Sequence, residues 1–263
     1  MKEILRTRVH SVWKEIQGRP GVTPQVAQAR LPKTPVLLGG STKIDKGEKM
    51  KILTKVLYLS PSTESGRNLC PWATKECAAA CLGHSSGQMI FSTSKNSRVW
   101  KTGLFLYGRH TFDALLLNEI RALKAAAERK DYSPAVRLNG TSDVVPSWCF
   151  ARSFPEVQFY DYTKAPKRMG QFLSGEFPEN YHLTYSFSGS ALSENLSKDF
   201  LRRGGNVAVV FDELPETWWG YPVLNADLDD ARFLDPMGYI AGLTFKGNKA
   251  DEAGSFLVRT RTE

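Results

Sequence analysis

Ala135-Val136-Arg137-Leu138 runs straight into Asn139-Gly140-Thr141-Ser142-Asp143. The first four residues read as a buried strand, and the polar, glycine-containing run after them reads as the turn that ends it. The same juxtaposition recurs downstream. Residues 157–160 end in Asp161-Tyr162-Thr163-Lys164, residues 182–185 in Ser186-Phe187-Ser188-Gly189-Ser190, and residues 239–245 in Lys246-Gly247-Asn248. Residues 55–60 and 206–211, the latter ending in Asp212-Glu213, bring the expected strands to six. Between them lie helical stretches. Residues 93–130 carry Phe112, Leu116, Ile120, Leu123 and Ala127 as one apolar stripe. A second helix is expected around residues 192–203, closed by Gly204-Gly205. Strand-then-helix units in succession imply parallel strands with right-handed crossovers. Six strands fall short of a closed eight-stranded barrel. The expected fold is therefore α/β, a partial (β/α)6 TIM-like barrel whose polar strand ends converge on one face.

The run Cys70-Pro71-Trp72-Ala73-Thr74-Lys75-Glu76-Cys77-Ala78-Ala79-Ala80-Cys81 follows the first strand and holds three of the four cysteines, spaced x6 then x3. Thiolates are soft ligands suited to zinc, copper(I) or iron–sulfur clusters. Three on one loop leave a four-coordinate site one ligand short, whereas a [4Fe–4S] cluster held by three cysteines keeps one iron open. A closed zinc site would need a fourth protein ligand and usually takes its cysteines from C-x2–4-C pairs. Buried thiols and disulfides are the other readings of the same residues. On the cluster reading Cys70, Cys77 and Cys81 are the metal ligands, with Cys149 and His84 as alternatives for a fourth. The strand-end residues Asn139, Ser142, Asp143, Asp161, Lys164 and Ser186 would contact the cofactor. Asp143 and Asp161 equally suit helix caps, Lys164 could be a solvated cation, and His182 reads as a core residue. Gly39-Gly40-Ser41-Thr42-Lys43 has part of a phosphate-loop pattern without its full spacing.

The chain has 263 residues and a formal charge of +8. Residues 1–60 hold twelve Lys/Arg against four Asp/Glu, and the remainder holds 23 of each. The basic excess is thus an N-terminal feature. Residues 1–50 read as a helix, 2–17, followed by an extended basic arm that could meet nucleic acid, and residues 51–263 as the partial barrel. No apolar run approaches the roughly 18 residues that span a membrane, and the first residues lack the apolar core of a signal peptide. A cytoplasmic, thiol-reducing setting is expected, which favours metal ligation over disulfides. HExxH, G-x-S-x-G and G-x-G-x-x-G patterns do not occur, which argues against zincins, serine hydrolases and Rossmann dehydrogenases.

Leu59-Ser60-Pro61, Gly66-Arg67-Asn68-Leu69-Cys70-Pro71-Trp72-Ala73 and Cys77-Ala78-Ala79-Ala80-Cys81-Leu82 resemble the phage family called gene product eighty-eight. Arg137 to Asp143, Asp161 to Lys164 and Asn180-Tyr181-His182-Leu183-Thr184 are similar to its later motifs. The resemblance covers roughly residues 50–190 and implies a viral origin, hence the host cytoplasm. In architecture the chain also resembles the radical S-adenosylmethionine superfamily, which carries three cysteines after the first strand of a partial six-stranded barrel. Those proteins usually space them C-x3-C-x2-C, and Asn139 to Asp143 stands here where they carry a glycine-glycine-glutamate motif. That resemblance implies a [4Fe–4S] cluster with S-adenosylmethionine on the open iron. The expected function is a redox or radical-type enzyme acting on a small molecule or nucleotide, fed by an electron donor. The competing expectation is a non-catalytic or regulatory nucleic-acid-binding protein with a structural zinc or cluster.

Overall fold

A computed structural model describes residues 2–40, 49–85, 87–246 and 250–260, with backbone alone at Lys2, His84 and Ser85. The glycine-rich run 39–43 lies mostly outside these residues. So do Gly247, Asn248 and the His84 side chain.

All six expected strands form. They are β2 (Ile52–Leu57), β3 (Ser133–Arg137), β4 (Gln158–Thr163), β5 (Tyr181–Ser186), β6 (Asn206–Phe211) and β9 (Ile240–Thr244). They pair in parallel and in chain order, β2-β3-β4-β5-β6-β9. Four short strands extend the sheet to ten. β1 (Leu38–Gly39) runs antiparallel on β2, and β8 (Tyr221–Asn225) runs parallel on β9. β7 (Thr217–Trp218) runs antiparallel on β8, and β10 (Leu257–Val258) lies against β6. Phe211 pairs with both Thr244 and Val258, so β10 lies on the β5 side of β6, above the point where β5 ends. β1 and β7 are the two free edges. The sheet is mixed, mostly parallel and not closed, so the expected α/β class holds while the expected TIM-like barrel is not shown.

Strand residues alternate between two faces. Val136, Phe159, Leu183, Val209 and Ile240 point to the face where the helices pack and form the main core with them. Those helices are α1 (Lys2–Gln17), α2 (Pro24–Gln28), α5 (Ser92–Tyr107), α6 (Arg109–Lys130), α7 (Ser147–Ser153), α8 (Pro166–Leu173) and α9 (Ala191–Arg202). The short helices α3 (Lys75–Ala79) and α4 (Leu82–Ser85) belong to the cysteine loop. The expected helix over 93–130 is broken at Gly108, where a Cβ would come within 3.0 Å of the Ile16 and Leu104 side chains. All five residues of the expected apolar stripe on α6 are buried.

One expectation needs correcting. The helix 2–17 forms, but the segment after it is not an extended arm, because it holds the short helix α2 and its Val26 and Leu37 are core residues. Near the end of the described chain, Ala253 and Leu257 are buried against Ala80 of the cysteine loop. The face opposite the helices is covered by the connection between β8 and β9. Its Ala226, Ala231 and Phe233 pack on Ala208, Ala241, Ile52, Ala135 and Tyr160.

Gly140 sits where β3 turns over the end of β2. A Cβ there would lie 2.6 Å from Val56 Cγ1 and 2.8 Å from the Leu57 carbonyl oxygen, which is backbone and cannot swing aside. Gly140→Ala is expected to cost about 1–3 kcal/mol of stability, read from urea unfolding midpoints.

Candidate functional site

Local sequence explains how the cysteine loop folds. Pro71-Trp72 forms a turn closed by the Ala73 N–H on the Cys70 carbonyl at 3.0 Å. Thr74 then caps α3, its hydroxyl accepting the Cys77 N–H at 3.2 Å. Cys77 lies in α3, which ends at Ala79, and Cys81 follows the Ala80 cap in the break before α4. The x6 spacing is thus a turn plus a helix start, and the x3 spacing carries the chain past the end of that helix.

The loop is pinned over the strand ends. The Asp143 N–H donates to the Leu69 carbonyl at 2.9 Å, tying it to the turn after β3. The Thr74 hydroxyl donates to the Ser188 carbonyl at 3.0 Å, tying it to the turn after β5. Gly254 lies against Glu76, where a Cβ would come within 2.9 Å of that side chain. From α5, Arg98 forks onto Glu64 with contacts of 2.6 and 2.8 Å, and both side chains are only 3% exposed. Arg98 also donates to the carbonyls of Gly83 and Met89, each at 3.1 Å, so one guanidinium holds both flanks of the loop.

Cys70, Cys77 and Cys81 are half-buried thiols; Cys81 and Cys77 lie near enough to Cys70, and Cys77 near enough to Cys81, for their charge to act there. The Ser62 N–H donates to Cys70 Sγ at 3.3 Å, and the Gly83 backbone donates to Cys81. Gly83 can do so because it lacks a Cβ, which would lie 2.8 Å from Pro61 Cγ and 3.4 Å from Cys81 Sγ. Burial pushes the Cys70 thiol up to about 11, with Cys81, Cys77 and Asp143 adding to the rise. Burial likewise raises Cys81, against the opposing pull of Gly83, Lys164 and Arg98. Cys149 is exposed on α7.

The other expected site residues divide into two sets. Asn139 is consumed internally. Its amide nitrogen donates to Val145 O at 2.9 Å and to Asp161 at 3.0 Å, while its oxygen accepts from Ser142 Oγ and from the N–H groups of Val144 and Val145. Asp161 is fully buried and accepts from Asn139 and Ser147, and burial holds its carboxyl above the ordinary range. Asn139, Ser142 and Asp161 therefore shape the turn. Asp143 ties the turn to β4, accepting from Thr163, the Lys164 N–H and Arg168. Lys164 and Ser186 sit beside the thiols. The Lys164 ammonium donates to Ser186 Oγ at 2.5 Å and to the Phe187 carbonyl at 3.3 Å, and lies 5.1 Å over the Phe256 ring. His182 is largely buried in β5.

The Glu64–Arg98 clamp and the Gly83 donor were not among the expected residues. Glu64 and Arg98 are 34 positions apart and form no local pattern.

Among the described residues, no group of three or more His, Cys, Asp or Glu is spaced to hold one metal ion. The donor chemistry fits a cluster better. The three donors are sulfur, two carry backbone N–H hydrogen bonds, and two cations lie near Cys81.

A family model described as Gene product 88 matches residues 35–259. No curated protein and no solved structure matches the chain. Neither the family match nor these comparisons support the expected likeness to the radical S-adenosylmethionine superfamily.

Two outcomes are expected. In metal-free protein, Cys70 should alkylate with iodoacetamide at a rate still climbing at pH 10, because burial disfavours its thiolate until near pH 11; peptide mass spectrometry after timed quenching reads this. Glu64→Gln strands the buried Arg98 guanidinium and should cost about 3–5 kcal/mol, measured by denaturant unfolding.

Proposed function

The chain belongs to the gene product 88 family, and from that premise we propose that it is a phage-encoded [4Fe–4S] protein of redox or radical type. On this reading the open sheet is the partial barrel expected from the sequence, and the cysteine loop closes its C-terminal end. The observation that carries the reading is that Cys70, Cys77 and Cys81 sit half-buried on one loop pinned over the strand ends while Cys149 is exposed on α7. Three sulfurs without a fourth suit a cluster with one iron free of protein ligands.

When bound, such a cluster would supply one-electron chemistry on a small molecule or nucleotide, and S-adenosylmethionine is the occupant proposed for the free iron. The chain's own groups prepare the site. The Ser62 and Gly83 N–H groups stabilise thiolate over thiol at Cys70 and Cys81. Lys164 and Arg98 offset negative charge at Cys81. Lys164, held by Ser186 and Phe187, orients whatever anionic group reaches the opening. The Glu64–Arg98 pair keeps the loop in register. Ligand binding and deprotonation are coupled, so a thiol as resistant to ionisation as Cys70 makes loading favour higher pH.

Oxygen-free protein reconstituted with iron and sulfide is expected to be brown and to hold about four irons per chain. Cys70→Ser, Cys77→Ser and Cys81→Ser should each lose most of that iron, and Cys149→Ser should keep it. Colourless wild-type protein carrying one zinc would overturn the proposal and move the chain to the non-catalytic class.

A further inference from the structure

The second face of the sheet, opposite the helices, carries buried polar groups that the cysteine site does not use. Tyr162 on β4 and Thr184 on β5 are directly opposite in register. The Arg137 guanidinium lies 4.6 Å over the Tyr162 ring. Arg232, from the β8–β9 connection, is close enough for its charge to act on both Tyr162 and His182. Its 3-10 turn, Arg232–Leu234, lies against β5. Arg137, Thr184 and Arg232 thus surround one tyrosine ring.

Each of these three keeps a buried polar atom with no hydrogen-bond partner: Arg137 Nε, Thr184 Oγ1 and Arg232 Nε. His182 Nε2 beside them is a fourth. Thr184 is fully buried and Arg232 nearly so. Buried donors are rarely left unmade, since a buried polar group without a partner keeps the full cost of its desolvation. Carboxylates occupy the outer ends of both guanidiniums. Asp230 takes Arg137 Nη1 at 3.2 Å, and Asp229 and Asp235 take Arg232 at 2.8 and 3.2 Å. Both forks are therefore held in place with the Nε–H edge uncommitted. Burial and Arg232 push His182 down to about 4, so its ring is neutral at pH 7. The unused atoms of Arg137, Thr184 and Arg232 can all donate, and strand alternation puts Thr184 on the same face as Lys164 and Ser186, which are half-buried at the strand ends.

We infer that this face binds a small anion bearing a carboxylate or a phosphate, received by Arg137, Thr184 and Arg232 and entering past Lys164 and Ser186. As a binding site it stands without the cluster. As the substrate site it rests on the cluster reading, because it makes that anion the molecule presented to the thiol end.

Isothermal titration calorimetry of the full chain with succinate and with inorganic phosphate tests it, on metal-free and on iron-loaded protein. At least one probe should bind with Kd below about 1 mM, in both preparations. Binding of succinate alone assigns a carboxylate, and binding of phosphate alone assigns a phosphate. Thr184→Val should weaken that binding about tenfold or more while leaving Tm without probe unchanged or higher, because it removes an unpaired hydroxyl. Arg137→Lys, which keeps the charge and loses the Nε–H edge, should weaken it similarly. No heat from either probe, or wild-type affinity in Thr184→Val, overturns the inference. Protein that takes up no iron on reconstitution yet binds the probe refutes the cluster alone.

Discussion

Six parallel strands that neighbour one another in chain order oblige every crossover to return over the same side of the sheet. That constraint underlies the rest of the molecule. One face is buried by helices through Val136, Phe159, Leu183 and Val209. The other is left for a single connection, residues 226–239, to cover. All the C-terminal strand ends fall on one edge, and the chain places its cysteine loop there directly after the first of these strands. The site and the polar second face are both consequences of this winding.

What holds the loop is largely electrostatic and largely buried. The Glu64–Arg98 pair has been taken out of water, so its geometry must be good to repay the desolvation. It achieves this with a two-point fork and two further carbonyl contacts. The thiols face the opposite balance. Burial raises Cys70 and Cys81, and the N–H donors with Lys164 and Arg98 recover part of the cost of ionising them. A loop built this way keeps Cys70 and Cys81 as neutral thiols at pH 7.

Much of this was legible in the residues. The six main strands could be read because apolar runs of four to six residues stop at polar turns, and α6 because its stripe recurs at helical spacing. β1, β7 and β10 could not, since two-residue strands carry no periodicity and exist only through their partners. Val9, Trp13 and Ile16 mark the N-terminal helix by their spacing, but the Pro- and Gly-containing stretch after it read as an arm where Val26 and Leu37 join the core. Closure of the sheet depends on strand tilt and on what sits at its edges, and no local pattern reports either. At the site, the cysteines stood out by clustering. Asn139 and Asp161 were found by position, but their bonds to Val145 and Ser147 show them serving the turn. Arg137 and Arg232 were missed because a charged residue inside an apolar strand or a loop gives no sign of whether it faces solvent or a buried partner.

The central claim is that three sulfurs from one loop hold an iron–sulfur cluster. X-ray absorption at the iron edge of oxygen-free protein tests it most directly. The account predicts iron in a sulfur shell with a second shell of iron neighbours. Iron bound only by oxygen and nitrogen, with no metal–metal scattering, would contradict it.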